Sequence, residues 1–273
     1  MRINYFLFLI LFLKAGASKA QSLYDQESSK QFATYLYASG NYRLAATEYE
    51  RLLFLEPNND SLRQRILKSM LLSEDFEGSN KRALLFNEPA DRLSNGMANL
   101  YSYGLISAGN QQAARTFLNV NQNLNKEEKL YYQAYSYLLE NEFKKAQQLK
   151  SESQVIMDSR LAALISETET IKHKHPALAA GMSALIPGLG KFYTGDWKDA
   201  IIALVTVGVT GYQSYRGFNR NGINSGYGWI YGSLAAGFYL GNIYGSASSA
   251  KRFNKREIDK VAQRIRHSFM LRP

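Results

Sequence analysis

Apolar residues fall into four regimes along the chain, and the changes between them mark its parts. Arg2 precedes a nearly unbroken apolar run over residues 5–13, which gives way to Ala15, Gly16, Ala17, Ser18 and Ala20. From residue 22 to about 170, apolar positions recur at three- and four-residue spacing, no strand-like alternation stands out, and proline occurs only at Pro57 and Pro89. That periodicity predicts amphipathic helices. Beyond His173-Lys174-His175-Pro176 the composition shifts to Gly, Ala, Ser and aromatic residues with few charges, in stretches at 176–195, 200–215 and 227–250. Ile258, Val261, Ile265 and Phe269 then share one side of a helix starting near Arg256. The expected fold class is all-α.

The N-terminal regime has the order of an export signal: a basic residue, an apolar run, then small residues. Ser18 and Ala20 suit the small-residue positions of a cleavage site, so residues 1–20 are expected to leave as a signal peptide, with Gln21 first in the mature chain. The alternative is an uncleaved anchor, although the run is short for a spanning helix, which takes about 20 residues. Either outcome puts residues 21–170 outside the cytoplasm.

Within that region, Phe32-Ala33-x-x-Leu36-x-x-x-Gly40-Asn41-Tyr42-x-x-Ala45-x-x-x-Tyr49-x-x-x-Leu53-x-x-x-Pro57 resembles the 34-residue tetratricopeptide repeat. Ala33 and Ala45 are small where two helices must cross, Gly40 ends the first helix, and Pro57 stands where the second stops. Phe32, Leu36, Tyr42, Tyr49 and Leu53 are expected to fill the space between helices. The turn signature recurs at Glu74-Asp75-Phe76, at Gly109-Asn110-Gln111 with Ala114, and at Asn141-Glu142-Phe143 with Ala146, in steps of 34, 35 and 32 residues from Gly40. The second copy is degenerate, with Ser79 in place of the small helix-B alanine. Four repeats over about 26–160 are expected, stacked into a superhelix whose groove holds a protein or peptide partner. Tyr35, Tyr37, Tyr101, Tyr103, Tyr131, Tyr132, Tyr135 and Tyr137 supply either groove surface or packing between helices.

The glycine-rich region, 176–250, is expected to be a small α-helical membrane domain with two or three spans, the first stretch being interrupted by Pro187 and its neighbouring glycines. Gly237, Gly241 and Gly245 recur every four residues, a pattern that lets another helix approach closely in lipid. Trp197, Trp229, Tyr193, Tyr227 and Tyr231 lie near the ends of the stretches, as interfacial anchors do. Ser183-Ala184-Leu185-Ile186-Pro187-Gly188-Leu189-Gly190-Lys191-Phe192-Tyr193, followed by Gly195, Trp197, Lys198 and Ala200, resembles the opening motif of a bacterial family of short Gly-rich membrane proteins. Its members share a Ser-Ala-x-x-Pro-Gly-x-Gly-x-x-Tyr core. The resemblance covers about residues 176–250 and implies a membrane domain, with membrane lipid as one partner and no assigned chemistry.

Charge sharpens this division. The net +10 is distributed as +3 over residues 1–20, −3 over 21–170 and +10 over 171–273. Positive charge next to an apolar third of the chain matches anionic lipid better than nucleic acid, for which no motif is present. A basic tail at 251–273 (Lys251, Arg252, Lys255, Arg256, Lys260, Arg264, Arg266 and Arg272 against Glu257 and Asp259) is expected to stay cytoplasmic. A chain entering from outside then needs an odd number of crossings, so three spans in a bacterial inner membrane are expected, with the repeats in the periplasm. The tail's apolar side lies on the lipid surface or the tail is a solvated stop. Aromatics at loosely alternating positions over 217–249 suggest outer-membrane strands, but fewer than eight fit this length.

No cysteine is present, so disulfides, thiolate metal sites and a lipoprotein anchor are excluded. His173 and His175 form the only histidine pair and lack carboxylate or cysteine company. Gly188 and Gly190 precede no Gly-Lys-Ser/Thr, which argues against a phosphate-cradling loop. Catalytic, cofactor-binding and metal residues are therefore expected to be absent. The expected role is a non-enzymatic scaffold for assembly at the cell envelope; the alternative is a transporter or protein-insertion component whose working part is residues 176–250.

Overall fold

The computed structural model describes residues 26–86, 89–153 and 157–270, all in helices, turns or coil with no strand among them. The expected signal at 1–20 lies outside the described residues. The described residues divide into two compact units: one holds 26–86, 89–140, 153, 157 and 270, the other 141–152 and 158–269.

The first unit contains α1 (Gln26–Ala38), α2 (Tyr42–Leu55), α3 (Asp60–Leu72), α4 (Phe76–Phe86), α5 (Asn95–Ser107), α6 (Gln111–Val120) and α7 (Lys126–Leu139). The turns between pairs share one backbone solution. Gly40, Glu74 and Gly109 adopt φ of 79°, 63° and 83°. In each, the following residue's N–H reaches back to the carbonyl five positions earlier: Asn41 to Leu36 at 2.9 Å, Asp75 to Met70 at 2.9 Å and Asn110 to Leu105 at 2.9 Å. The left-handed residue's own N–H bonds three positions back, to Tyr37, Leu71 and Ile106. This double closure satisfies the last carbonyls of a helix and reverses the chain within three residues. Asn141, the fourth signature position, has φ 60°.

Five residues after each left-handed position stands a buried small side chain: Ala45, Ser79, Ala114 and Ala146. The degenerate second copy therefore retains the geometry; Ser79 Oγ donates to the Leu67 carbonyl at 3.3 Å, which satisfies the hydroxyl that burial takes from water. Around the first turn, Ala33, Leu36, Ala45, Tyr49, Leu52, Leu62 and Ile66 form one core cluster. Each fully buried side chain of Leu or Ile size contributes about 1.5–3 kcal/mol there. Phe32 departs from expectation, being half exposed, whereas Tyr42 packs edge-on to Tyr37 with centroids 5.5 Å apart. Helix α2 ends at Leu55 just ahead of Pro57, whose carbonyl accepts from Arg63 Nη2 at 2.7 Å. Asn121 is fully buried after α6. Its carboxamide oxygen accepts from Asn123 and Leu124 N–H at 3.0 and 3.1 Å, and its nitrogen faces the carbonyls of Ala90, Asp91 and Leu93.

The second unit contains α8 (Phe143–Glu152), α9 (Ser159–Glu169), α10 (Pro176–Leu185), α11 (Leu189–Tyr193), α12 (Trp197–Asn221) and α13 (Gly226–Met270). Gln147 and Lys150 of α8 donate to Thr168 and Ser166 of α9 at 2.8 and 2.6 Å. The first glycine-rich stretch is two short helices, because Pro187 forces Ile186 into extended backbone (φ −135°) and Gly188 follows with φ 89°. Among the described residues, no helix is long and apolar enough to cross a membrane. The third stretch and the basic tail are one 45-residue helix, α13. Its distal half corrects both expectations for the tail: Val261, Ile265 and Phe269 are buried by protein, and Arg264 pairs with Glu167 of α9, so that apolar side is free for neither lipid nor water.

Candidate functional site

The first unit opens into a cleft of about 560 Å³ lined by Tyr37, Ser61, Gln64, Arg65, Lys68, Gly96, Asn99, Leu100, Tyr103 and Tyr132. Every one of these belongs to α1, α3, α5 or α7, the leading helix of a pair; α2, α4 and α6 contribute none. The turns cause this segregation, since each sends the chain back behind the helix it has just completed.

Among the described residues, no Asp or Glu lines the cleft. The carboxylate at its edge, Glu128, is already engaged: Asn99 Nδ2 donates to it at 2.9 Å, Asn95 Nδ2 at 2.7 Å and the Asn125 N–H at 2.8 Å, the last as half of the capping box that starts α7. Arg65 Nη1 donates to the Tyr49 hydroxyl at 3.2 Å and its guanidinium lies 5.6 Å from that ring's centroid. Burial pushes the phenols of Tyr37, Tyr103 and Tyr132 up from their ordinary value, Tyr132 by the most, with Tyr131 and Glu128 adding repulsion. All three therefore stay neutral at physiological pH and act as hydrogen-bonding aromatic walls. Two cations, two carboxamides and three neutral phenols therefore line the cleft.

Of the eight tyrosines singled out by sequence, Tyr37, Tyr103 and Tyr132 line the cleft. Tyr135 is core, Tyr101 packs edge-on to Phe117 at 4.8 Å, and Tyr137 lies under the Arg115 guanidinium at 4.9 Å. None of the residues matching the repeat pattern (Ala33, Gly40, Tyr42, Ala45, Tyr49, Pro57, Gly109, Ala114 and, in the second unit, Ala146) is in the lining. Sequence reasoning missed Gln64, Arg65, Lys68 and Asn99. Their signal was weak but present: polar residues interleaved with the buried Leu62, Ile66, Met97 and Ala98 of α3 and α5.

The glycine-rich motif of the second unit forms a hydroxyl seam. Ser183 Oγ accepts from the Gly190 N–H at 2.9 Å and shares a hydrogen with Ser246 Oγ at 2.7 Å; Thr194 Oγ1 meets Ser249 Oγ at 2.7 Å, and Ser249 also donates to Asp196. The glycines permit the approach: a Cβ on Gly190 would stand 1.8 Å from the Ala179 carbonyl oxygen, and one on Gly188 would stand 2.2 Å from that of Ala200. Tyr193 carries the Lys174 ammonium 4.2 Å from its ring centroid, and Trp197 is half exposed at the first position of α12. Gly195 has a role the motif did not disclose. Its φ of 86°, the Asp196 N–H to Lys191 carbonyl bond at 2.9 Å and buried Ala200 five residues on repeat the turn seen at Gly40. The matching string, Gly195-Asp196-Trp197-x-x-Ala200 against Gly40-Asn41-Tyr42-x-x-Ala45, was visible but fell outside the period.

Asn242 sits in α13 one turn before Ser246, buried, with neither carboxamide atom hydrogen-bonded. Gly237 and Gly241 face open space, a Cβ on either meeting nothing within 4 Å, while a Cβ on Gly245 would stand 3.5 Å from the Lys191 side chain. Close helix approach within the unit occurs instead at Gly217 and Gly228, where a Cβ on Gly217 would be 2.7 Å from the Gly228 backbone. Among the described residues, no cluster of three His, Cys, Asp or Glu side chains is placed to hold a metal ion, and His173 and His175 are exposed.

No family model matches the chain, and no curated protein or solved structure matches it.

Proposed function

We propose that the chain is a membrane-attached scaffold of the bacterial cell envelope: its helix pairs stack as tetratricopeptide-like repeats that hold a protein partner's extended segment, and its glycine-rich unit fixes that capture at the lipid. The observation that carries the capture is the segregation of the cleft lining to α1, α3, α5 and α7, with no acidic residue beside Arg65 and Lys68 among the described lining residues. Attachment is supported by the second unit's surface. Of the 25 residues of α12 only Ala200 and Gly217 are buried, and Ile201, Ile202, Leu204, Val205 and Val209 are exposed. Apolar patches of that extent on a chain surface mark an interaction site.

The test is co-purification of the full chain from membranes, with Leu100→Glu and Lys68→Glu as cleft variants checked for unchanged helicity. Loss of the same polypeptide in both variants supports capture in the cleft; retention of that polypeptide in both refutes it. A chain altered at Pro187 or Gly237 that keeps its partner yet abolishes function moves the working part to residues 176–250.

A further inference from the structure

Three sets of side-chain contacts tie the second unit's chain path together at one level. The Lys174 N–H donates to Asn254 Oδ1 at 2.7 Å, and Asn254 Nδ2 returns a bond to the Lys174 carbonyl at 2.9 Å. Thr194 meets Ser249, and Asp196 faces Arg252 and Arg256 at 3.9 and 3.6 Å. The point where the chain enters the glycine-rich region, the point where α12 departs and the point where α13 comes back are thus neighbours. From this base α12 leads away and the first half of α13 returns, clasped where Ser214 Oγ donates to the Gly228 carbonyl at 2.9 Å and Phe218 packs edge-on to Trp229. Residues 200–215 and 221–250 contain no Asp, Glu, Lys or Arg. Both limbs expose large apolar side chains, Ile202 and Val205 on one, Ile230 and Phe238 on the other.

We propose that α12 and the first half of α13 form a lipid-embedded hairpin whose two ends lie on the same side of the bilayer, so that the segment before Lys174 and the basic half of α13 face one compartment. This rests on the membrane attachment proposed above. Charge selects lipid as the occupant over a second copy of the chain. In the segments that flank the hairpin, Lys191, Lys198, Lys251, Arg252, Lys255 and Arg256 outnumber Asp196 and Asp199, so a second copy brings a net like charge against like charge and anionic headgroups bring the opposite. An odd number of crossings, which the basic tail taken alone suggests, requires the Lys174–Asn254 pair to be torn apart by the thickness of the membrane. With an exported N-terminus, the hairpin leaves the tail outside along with α9.

The chain has no native cysteine, so single cysteines at His173 and Lys255, both exposed, report sidedness directly. Full-length His173→Cys and Lys255→Cys proteins are treated in spheroplasts with a membrane-impermeant maleimide, before and after permeabilisation. The expected result is one response at both positions. Labelling of one position before permeabilisation and of the other only afterwards overturns the hairpin while leaving attachment in place. Recovery of the unmodified chain in the soluble fraction after lysis refutes attachment itself, and the hairpin with it.

Discussion

Glu74 holds a backbone conformation that its side chain opposes, and this sets up a paired experiment on the repeat turns. Its φ of 63° matches Gly40 and Gly109, yet it carries a Cβ. A non-glycine residue in the left-handed region costs about 1–2 kcal/mol. Replacing it with glycine removes that strain but adds backbone freedom to the unfolded chain, worth about 0.5–1 kcal/mol in the opposite sense. Glu74 is exposed, so the exchange loses no buried contact. Glu74→Gly is therefore expected to stabilise by about 0.5–1 kcal/mol, which at about 2–4 °C per kcal/mol for a chain of this size raises the melting temperature by about 1–4 °C. Gly40→Ala is the mirror test. A Cβ there meets nothing within 4 Å, so its cost is conformational alone, and a loss of about 1 kcal/mol is expected. Both are read by circular dichroism melting of the full chain in one detergent. A Glu74→Gly melting temperature at or below that of the parent, alongside an unchanged Gly40→Ala, refutes the claim that these turns share one left-handed closure.

Three further outcomes follow from packing and ionisation. Gly190→Ala drives a methyl into the Ala179 carbonyl and is expected to cost at least about 3 kcal/mol, seen as lost expression or a collapsed melting transition, whereas Gly181→Ala, which meets nothing within 4 Å, is tolerated. Asn242→Leu removes two unpaired buried polar atoms and is expected to raise stability by about 1–2 kcal/mol; a loss instead reveals a partner for that carboxamide. Because burial raises the folded-state pKa of Tyr132, the stability it contributes is complete below about pH 10 and falls as pH climbs from there toward the raised folded value, by up to about 1.4 kcal/mol per pH unit. Thermal melts between pH 8 and about 11 are expected to show this decline, lessened in Tyr132→Phe.

The turns were legible because their chemistry is local. A left-handed residue, a short polar residue and a small residue five positions on can be read within six letters, and the step of 34 to 35 residues identified even the degenerate copy at Glu74. The cleft was not legible, since Tyr37, Arg65, Asn99 and Tyr132 come together only through stacking of helices about thirty residues apart. The same limit explains Phe32, whose place in the repeat pattern suggests burial but whose surroundings leave it half exposed. The tail misled for a related reason. Ile258, Val261, Ile265 and Phe269 announce an amphipathic helix, and amphipathicity alone does not say whether lipid, water or protein takes the apolar side.

Helix α13 makes that last point general. It runs 45 residues without a break, yet its halves are built on different rules. From Trp229 to Gly241 no residue is buried, no charge appears, and Gly237 and Gly241 leave the backbone open. From Asn242 onward hydroxyls, then Ala250, Val261, Ile265 and Phe269, are buried, and the charges return. A helix of this length spans about 68 Å at 1.5 Å per residue, more than twice the thickness of a bilayer's hydrocarbon core. Its protein-buried half is anchored at two points, by Asn254 to Lys174 and by Arg264 to Glu167. The uncharged half therefore extends from a fixed base and does not pivot on a loop, so the orientation of the proposed hairpin is set by the same contacts that close the glycine-rich unit. Asn254→Ala removes both bonds to Lys174 and leaves the apolar limbs untouched. It is expected to keep the chain in the membrane fraction while exposing a cysteine at His173 to faster maleimide labelling than in the parent.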